Sequence, residues 1–264
     1  MNLILPLILL PYSRVSASPL SFLNLQSWDQ LPLHHLTPSH SPHITISQNE
    51  PKVNVSLYVM SRCPDARLCE SVFADVLHTE GVLAKVNLDM HYIGELNSSS
   101  PLGVTCKHGP LECLGNLQQL CFFNHLPLDT FYAVLECFNY ADFPTHIGEL
   151  SLARSCADTV GVNWEESGVG ECIGRGGEGC IDSEKGCQIG KEGKKLVRTS
   201  VKETKESGVK TSCTIEIAST LKSGGKRGCV VDGGVWSGCD DGHTAADFVS
   251  IIGEEWDALR QQAT

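Results

Sequence analysis

Apolar and polar positions alternate clearly in "VNVSLYVMS" (53–61), which is rich in β-branched residues. That period-two pattern predicts a buried strand beginning near Val53. "DARLCESVFADVLH" (65–78) then changes period, with Leu68, Val72 and Val76/Leu77 at helical spacing. Pro64 stands where the first turn of a helix accepts proline. "GVLAKVNLDMHYIGEL" (81–96) returns as a second strand. Strand, helix and strand make a βαβ unit, whose strands should be parallel and whose crossover should be right-handed.

Further along, "LGNLQQLCFFNHL" and "LDTFYAVLECFNYA" predict two helices, followed by "HIGELSLARSCADTVGV". Residues 165–193 are glycine-rich and predict a loop stapled through Cys172, Cys180 and Cys187. "KKLVRTSVKETKESG" predicts a helix, and "TSCTIEIA" with "GCVVDGGVWSGC" a closing hairpin. "TAADFVSIIGEEWDALRQQ" predicts a terminal amphipathic helix with Thr244 as its N-cap. No internal repeat is present.

The 264-residue chain is 41% hydrophobic, enough for a packed core, and carries a net charge of −11. An acidic chain without a basic stripe argues against nucleic acid or an anionic membrane as partner. The lysines between Lys191 and Lys210 are interleaved with Glu192, Glu203 and Glu206, as on a solvated face. The N-terminus changes the picture more. "LILPLILL" (3–10) is followed by small residues ending "VSAS", with Val15 and Ala17 placed as before a signal cleavage site. We therefore expect a signal peptide over 1–17 and a Ser/Pro/His-rich linker or pro-segment over 18–51. The apolar run is shorter than the ~20 residues a membrane span needs, so no span is expected in the mature chain. The linker histidines 34, 35, 40 and 43 read as a polar tail rather than a metal site.

Thirteen cysteines dominate the chemistry. Their spacing forms no paired C-x-x-C knuckle, so a disulfide framework in an oxidising compartment is the better reading than metal. The odd total leaves at least one thiol unpaired within a monomer. Cys63 follows the first strand and precedes the first helix. A helix N-terminus favours a thiolate through its dipole and free backbone N–H groups, and that edge of an open α/β sheet is where chemistry usually sits. Position 66, where a C-x-x-C would place its second cysteine, is alanine; the next thiol is Cys69. Were both cysteines helical, their Cα atoms would lie about 9–10 Å apart on different faces. A disulfide needs less than about 7 Å, so a 63–69 bridge requires the first turn to distort.

Residues 106–121, "CKHGPLECLGNLQQLC", resemble the Cys-Gln-His-Gly-x-x-Glu-Cys-x-x-Asn-x-x-x-x-Cys motif of the gamma-interferon-inducible lysosomal thiol reductase family. Cys106, His108, Gly109, Glu112, Cys113, Asn116 and Cys121 match in register, with Lys107 in place of glutamine. The resemblance spans roughly residues 53–217 and includes the sequon at Asn97 and Cys137, Cys156 and Cys172. It implies an α/β, thioredoxin-like domain over 52–264, with a disulfide-rich helical insertion at about 98–163 and an added C-terminal hairpin plus helix at about 218–264. It also implies a thiol–disulfide oxidoreductase that reduces or exchanges protein disulfides in endolysosomal, vacuolar or extracellular settings. Cys63 would be the nucleophile and a small thiol the reductant, with no metal or organic cofactor. The family's usual cis-proline has no counterpart, because the corresponding stretch "VKTSCTIEI" contains no proline.

Cys213 starts the strand that in this fold passes beside the active cysteine. If Cys106, Cys113, Cys121 and Cys137 pair among themselves, with 156–172, 180–187 and 229–239, then Cys63, Cys69 and Cys213 remain. Cys213 could then bridge to Cys63 or resolve its mixed disulfide; a small external thiol is the other route. His108 and Glu112 read as a local pair within the knot rather than as an acid–base couple. Asn97 in "NSS" is a glycan acceptor if the chain is secreted, whereas Asn54 in "NVS" falls in the strand predicted to be buried. A catalytically silent, disulfide-stapled binding protein on the same scaffold is the alternative.

Overall fold

A computed structural model of the chain describes residues 50–175 and 188–263. The expected signal segment, the linker histidines and the cysteines at 180 and 187 lie outside the described residues.

Strand β1 (Val53–Val59) is followed by α1 (Pro64–His78), the short α2 (Val82–Lys85) and β2 (Val86–Tyr92). β1 and β2 pair in parallel from Val53↔Val86 to Val59↔Tyr92, closing the βαβ unit. Val53, Val55, Leu57 and Val59 are fully buried on one side of β1. On the other side Asn54 is exposed and accepts a hydrogen bond from Asn87 Nδ2 across the ladder at 3.0 Å. The expectation that Asn54 is buried is therefore corrected: the strand alternates, and its even positions open to solvent at this end.

A two-residue ladder, β3 (Glu95–Leu96) with β4 (Val104–Thr105), leads into the insertion. The insertion holds α3 (Pro110–His125), α4 (Leu128–Tyr140), α5 (Leu150–Val160) and α6 (Val169–Ile173). α3 is buried nearly all round, so even Glu112, Asn116, Gln118 and Gln119 have no more than 1% of their surface exposed. α7 (Lys191–Ser207) packs on α3 and β2 through Val197, Ser200, Val201 and Thr204, and most of its lysines face solvent.

The chain closes with β5 (Thr214–Ala218), β6 (Lys226–Asp232), β7 (Val235–Ser237) and α8 (Ala245–Ala263). The sheet order is β2-β1-β5-β6-β7, with β5 antiparallel to β1 and β6 antiparallel to β5. A parallel βαβ half joined to an antiparallel ββα half is the thioredoxin-like arrangement that the family resemblance implied. The hairpin and helix expected after residue 218 are present and are built into the core: β6 extends the central sheet, and α8 packs on α1, α2 and β1. Phe73 of α1 meets Phe248 of α8 at 5.1 Å between ring centroids. Thr244 and Asp247 form a reciprocal capping box before α8, with Asp247 N donating to Thr244 Oγ1 and Thr244 N to Asp247 Oδ2. No helix among the described residues is long and apolar enough to cross a membrane.

Candidate active site at the start of helix α1

Four residues turn the chain from β1 into α1, and hydrogen bonds fix each of them. Met60 O accepts from Cys63 N at 2.9 Å, and Met60 N donates to Ser212 Oγ at 2.9 Å. Ser61 N donates to Asn116 Oδ1 at 3.0 Å, and Ser61 Oγ to the Glu112 carbonyl at 3.1 Å. Arg62 Nη1 donates to the Ile147 carbonyl at 3.1 Å. Gly115 permits this close approach of α3: a Cβ there would lie 2.5 Å from both Ser61 Oγ and Ile147 Cγ2. The 106–121 motif thus holds the residues just before Cys63. Asn116 also reaches Cys106 Sγ through Nδ2 at 3.7 Å.

Cys63 is the N-cap of α1, extended at φ −87° and ψ 126°, with Pro64 in the first turn. Cys63 is 7% exposed, and its Sγ donates to the Ser212 carbonyl at 3.6 Å. Among the described cysteines it alone is free. Neither expected bridge from Cys63 forms. Instead Cys69 bonds to Cys213, with Cα atoms 6.4 Å apart, and both residues are fully buried. The helix explains this: Cys69 points from another face of α1, toward the segment before β5. The Ser212–Cys213 peptide is cis, although no proline is present. The Cys213 carbonyl accepts from Val231 N at 2.9 Å, which joins the segment to β6.

The β6–β7 turn completes the rim. Gly233 and Gly234 both take positive φ, as a two-residue hairpin turn requires. Their N–H groups donate to the Asp65 carboxylate at 3.0 and 2.7 Å. On the opposite side Arg67 stacks over Tyr140 and Phe143, each 5.3 Å from the ring centre.

Two turns below Cys63 on α1, Glu70 is buried among polar groups. Its Oε2 accepts from Asn139 Nδ2 at 2.7 Å, while Oε1, Asn139 Oδ1 and the Tyr132 hydroxyl have no partner. Burial raises the Glu70 carboxyl to about 8, against a smaller opposing effect of the Asn139 hydrogen bond. Burial also holds the Tyr92 and Tyr132 hydroxyls well above their ordinary range, reinforced by the nearby Glu70 charge. The pattern of residues missed Glu70, because a carboxylate on a helix reads as a solvent-facing position.

The remaining described cysteines form a scaffold. Cys106 bonds to Cys113, Cys121 to Cys172, Cys137 to Cys156 and Cys229 to Cys239. The expected 156–172 bond is corrected, as is closure of Cys121 and Cys137 within the first four cysteines. α4 lies against α5 and α3 against α6, so each helix pair carries its own bond. His108 Nδ1 pairs with Glu112 Oε2, and His108 N donates to Glu112 Oε1 at 3.1 Å. This is a local pair that fixes the loop at Gly109. His125, Cys172 and Glu192 come within metal-ligating range of one another, but the sulfur is already in a disulfide and His125 pairs with Glu192 at 3.1 Å. Asn97 lies in the turn between β3 and β4, where its Oδ1 accepts from Ser99 N at 3.0 Å.

Several solved structures are similar in chain path. A reduced disulfide bond oxidoreductase (DsbG) from Mycobacterium tuberculosis has a TM-score of 0.47 at 16% identity, covering 81% of this chain and 87% of that one. A periplasmic thioredoxin-like protein from Salmonella enterica serovar Typhimurium has a TM-score of 0.46 at 10% identity, covering 80% and 88%. Wolbachia pipientis alpha-DsbA1 has a TM-score of 0.43 at 12% identity, covering 83% and 93%. No curated protein matches the sequence. The family model described as gamma interferon inducible lysosomal thiol reductase matches residues 54–160, from β1 through the end of α5 and including the whole 106–121 motif. Over residues 54–160 the chain is therefore similar to the gamma interferon inducible lysosomal thiol reductase family.

Proposed function

We propose that this protein is a thiol–disulfide oxidoreductase that reduces or exchanges disulfides of protein substrates through Cys63. One observation carries the reading: a free cysteine caps the helix that follows the first strand, at the sheet edge braced by the family motif. The Cys63 thiolate would attack a substrate disulfide. One Cys63–substrate bond forms, the substrate S–S bond breaks, and the first substrate sulfur leaves as a thiolate. A second thiol must then release the other substrate sulfur, and a small-molecule thiol serves as the ultimate reductant. Sulfur carries the electrons throughout, so the cycle calls for no metal or organic cofactor.

The setting follows from the same chemistry. Disulfides joining buried helices persist in oxidising compartments, which favours the secretory route to a lysosomal, vacuolar or extracellular destination. A signal peptide over 1–17, a linker over 18–51, a reductase domain over 52–264 and a glycan at Asn97 complete this reading.

Reduction of a disulfide-bonded test protein such as insulin, at acidic and neutral pH with cysteine as reductant, tests it. Turnover by the wild-type chain that disappears in Cys63→Ser supports the proposal. Equal rates in the two proteins would instead favour a stapled binding protein.

A further inference from the structure

We infer that the buried Cys69–Cys213 pair is the electron store of this site, with Cys213 as the thiol that resolves the Cys63 mixed disulfide. This rests on Cys63 being the exchanging thiol. Three observations lead to it. The Cys63 sulfur touches the Ser212 carbonyl, so the peptide unit that carries Cys213 lies directly against the thiol. The place of a second helix cysteine is taken by Ala66, which is buried and has no thiol. Cys69 sits one helical turn further down, its sulfur 3.3 Å from the Ala66 carbonyl, and is tied back to the corner only through Cys213.

Exposure orders the three sulfurs. Cys63 is slightly open to solvent, whereas Cys69 and Cys213 have no exposed surface. A folded protein substrate can therefore reach the pair only through Cys63. Cys69 is about 9 Å along the helix from Cys63, so the route runs from 63 to 213 to 69.

The steps balance from the reduced state, with all three as thiols. Cys63 attacks the substrate disulfide and releases the first substrate thiolate. Cys213 attacks the Cys63 sulfur, breaking the Cys63–substrate bond, forming Cys63–Cys213 and releasing the second substrate thiolate. Cys69 attacks Cys213, breaking Cys63–Cys213, forming Cys69–Cys213 and freeing Cys63. The substrate gains two electrons and two protons, and the pair loses the same. The end state is the bonding pattern of the structure, a free Cys63 beside a closed 69–213 bond, which is therefore the oxidised form. Two equivalents of a small-molecule thiol return the site to the reduced, three-thiol state by the reverse path, leaving as their disulfide.

The test uses the full chain in glutathione buffers of graded reduced-to-oxidised ratio, quenched with N-ethylmaleimide and mapped by peptide mass spectrometry. In wild type we expect glutathione on Cys63, a trapped Cys63–Cys213 peptide, and opening of 69–213 while 121–172 and 137–156 stay closed. In Cys63→Ser, opening of 69–213 should slow at least about tenfold, because the thiolate that begins exchange is gone. In Cys69→Ser, a Cys63–Cys213 bond should accumulate. Opening of 69–213 at equal rates in wild type and Cys63→Ser would overturn the relay. Glutathione on Cys63 with 69–213 still closed at every ratio would overturn it too, while leaving Cys63 as a nucleophile resolved from outside. A Cys63 that takes no glutathione would overturn both readings.

Discussion

The helical insertion and the β1–α1 corner are both rich in cysteine but use it differently. In the insertion Cys106, Cys113, Cys121, Cys137, Cys156 and Cys172 close three bonds, two of them between packed helices. At the corner three cysteines share a single bond, and the one left over caps a helix. Even numbers inside a helix bundle make a brace. An odd number at a strand-to-helix turn leaves one thiol free beside a bond. The brace also serves the corner directly, because Asn116 and the Glu112 carbonyl, on the braced helix, hold Ser61 two residues ahead of Cys63.

If that contrast is right, substitutions in the two regions should separate activity from stability. The largest effect belongs to Cys63→Ser: disulfide-reductase turnover should fall at least about a hundredfold, since the attacking sulfur is removed. Thermal unfolding should stay close to wild type, because the thiol makes one weak contact. Kinetic assay beside differential scanning calorimetry decides this; a large loss of stability would instead make Cys63 part of the brace.

The opposite behaviour is expected of Cys121→Ala with Cys172→Ala. The bond spans 51 residues, and removing it should cost about 4 kcal/mol by loop entropy. Below the new unfolding midpoint, Cys63 should still react with iodoacetamide at the wild-type rate. Loss of Cys63 reactivity in protein that remains folded would blur the distinction between brace and corner.

Glu70 gives the corner helix a pH dependence. Its carboxyl stands near 4.5 when the chain is unfolded and at about 8 when folded. The folded state therefore holds the proton more tightly. Its contribution to stability is fully present below pH 4.5 and is lost as pH rises toward about 8. Between pH 5 and pH 8 the loss should be on the order of 3–4 kcal/mol. Urea titrations across that range should show the decline in wild type and a flatter profile in Glu70→Gln; parallel profiles would contradict the assignment.

The smallest effect concerns the rim. Asp65→Ala removes two hydrogen bonds to the Gly233 and Gly234 amides, worth about 1 kcal/mol in total at this solvent-facing position. Faster hydrogen exchange should be confined to the β6–β7 turn. Spread of the effect into α3 would show that the corner and the insertion are less separable than proposed.

Much of the frame was legible from residue pattern: the parallel βαβ unit, the helices of the insertion, the hairpin and the capped terminal helix all follow from periodicity and capping. Cysteine connectivity was not, because spacing says nothing of which helices lie side by side. Cys156 bonds along α4 rather than to Cys172 for that reason. The buried stripe of α1 was also misplaced. Leu68 is 38% exposed, and Ala66, Cys69, Glu70 and Phe73 face inward, because a buried carboxylate and a small alanine do not register as apolar. Asn54 shows the converse, a polar residue whose strand neighbours suggested burial while its own side opens to solvent. The role of Ser212 is invisible in sequence. Its hydroxyl and carbonyl meet Met60 and Cys63 only once a segment about 150 residues away folds back.

The most direct test of the central claim is alkylation of the natively purified, unreduced protein with iodoacetamide, followed by peptide mapping of its disulfides. The account predicts a carbamidomethyl group on Cys63 under native conditions, with Cys69 and Cys213 recovered as one cross-linked pair. A Cys63 that stays unlabelled until the protein is denatured, or that is recovered bonded to Cys106 or Cys156, would contradict it.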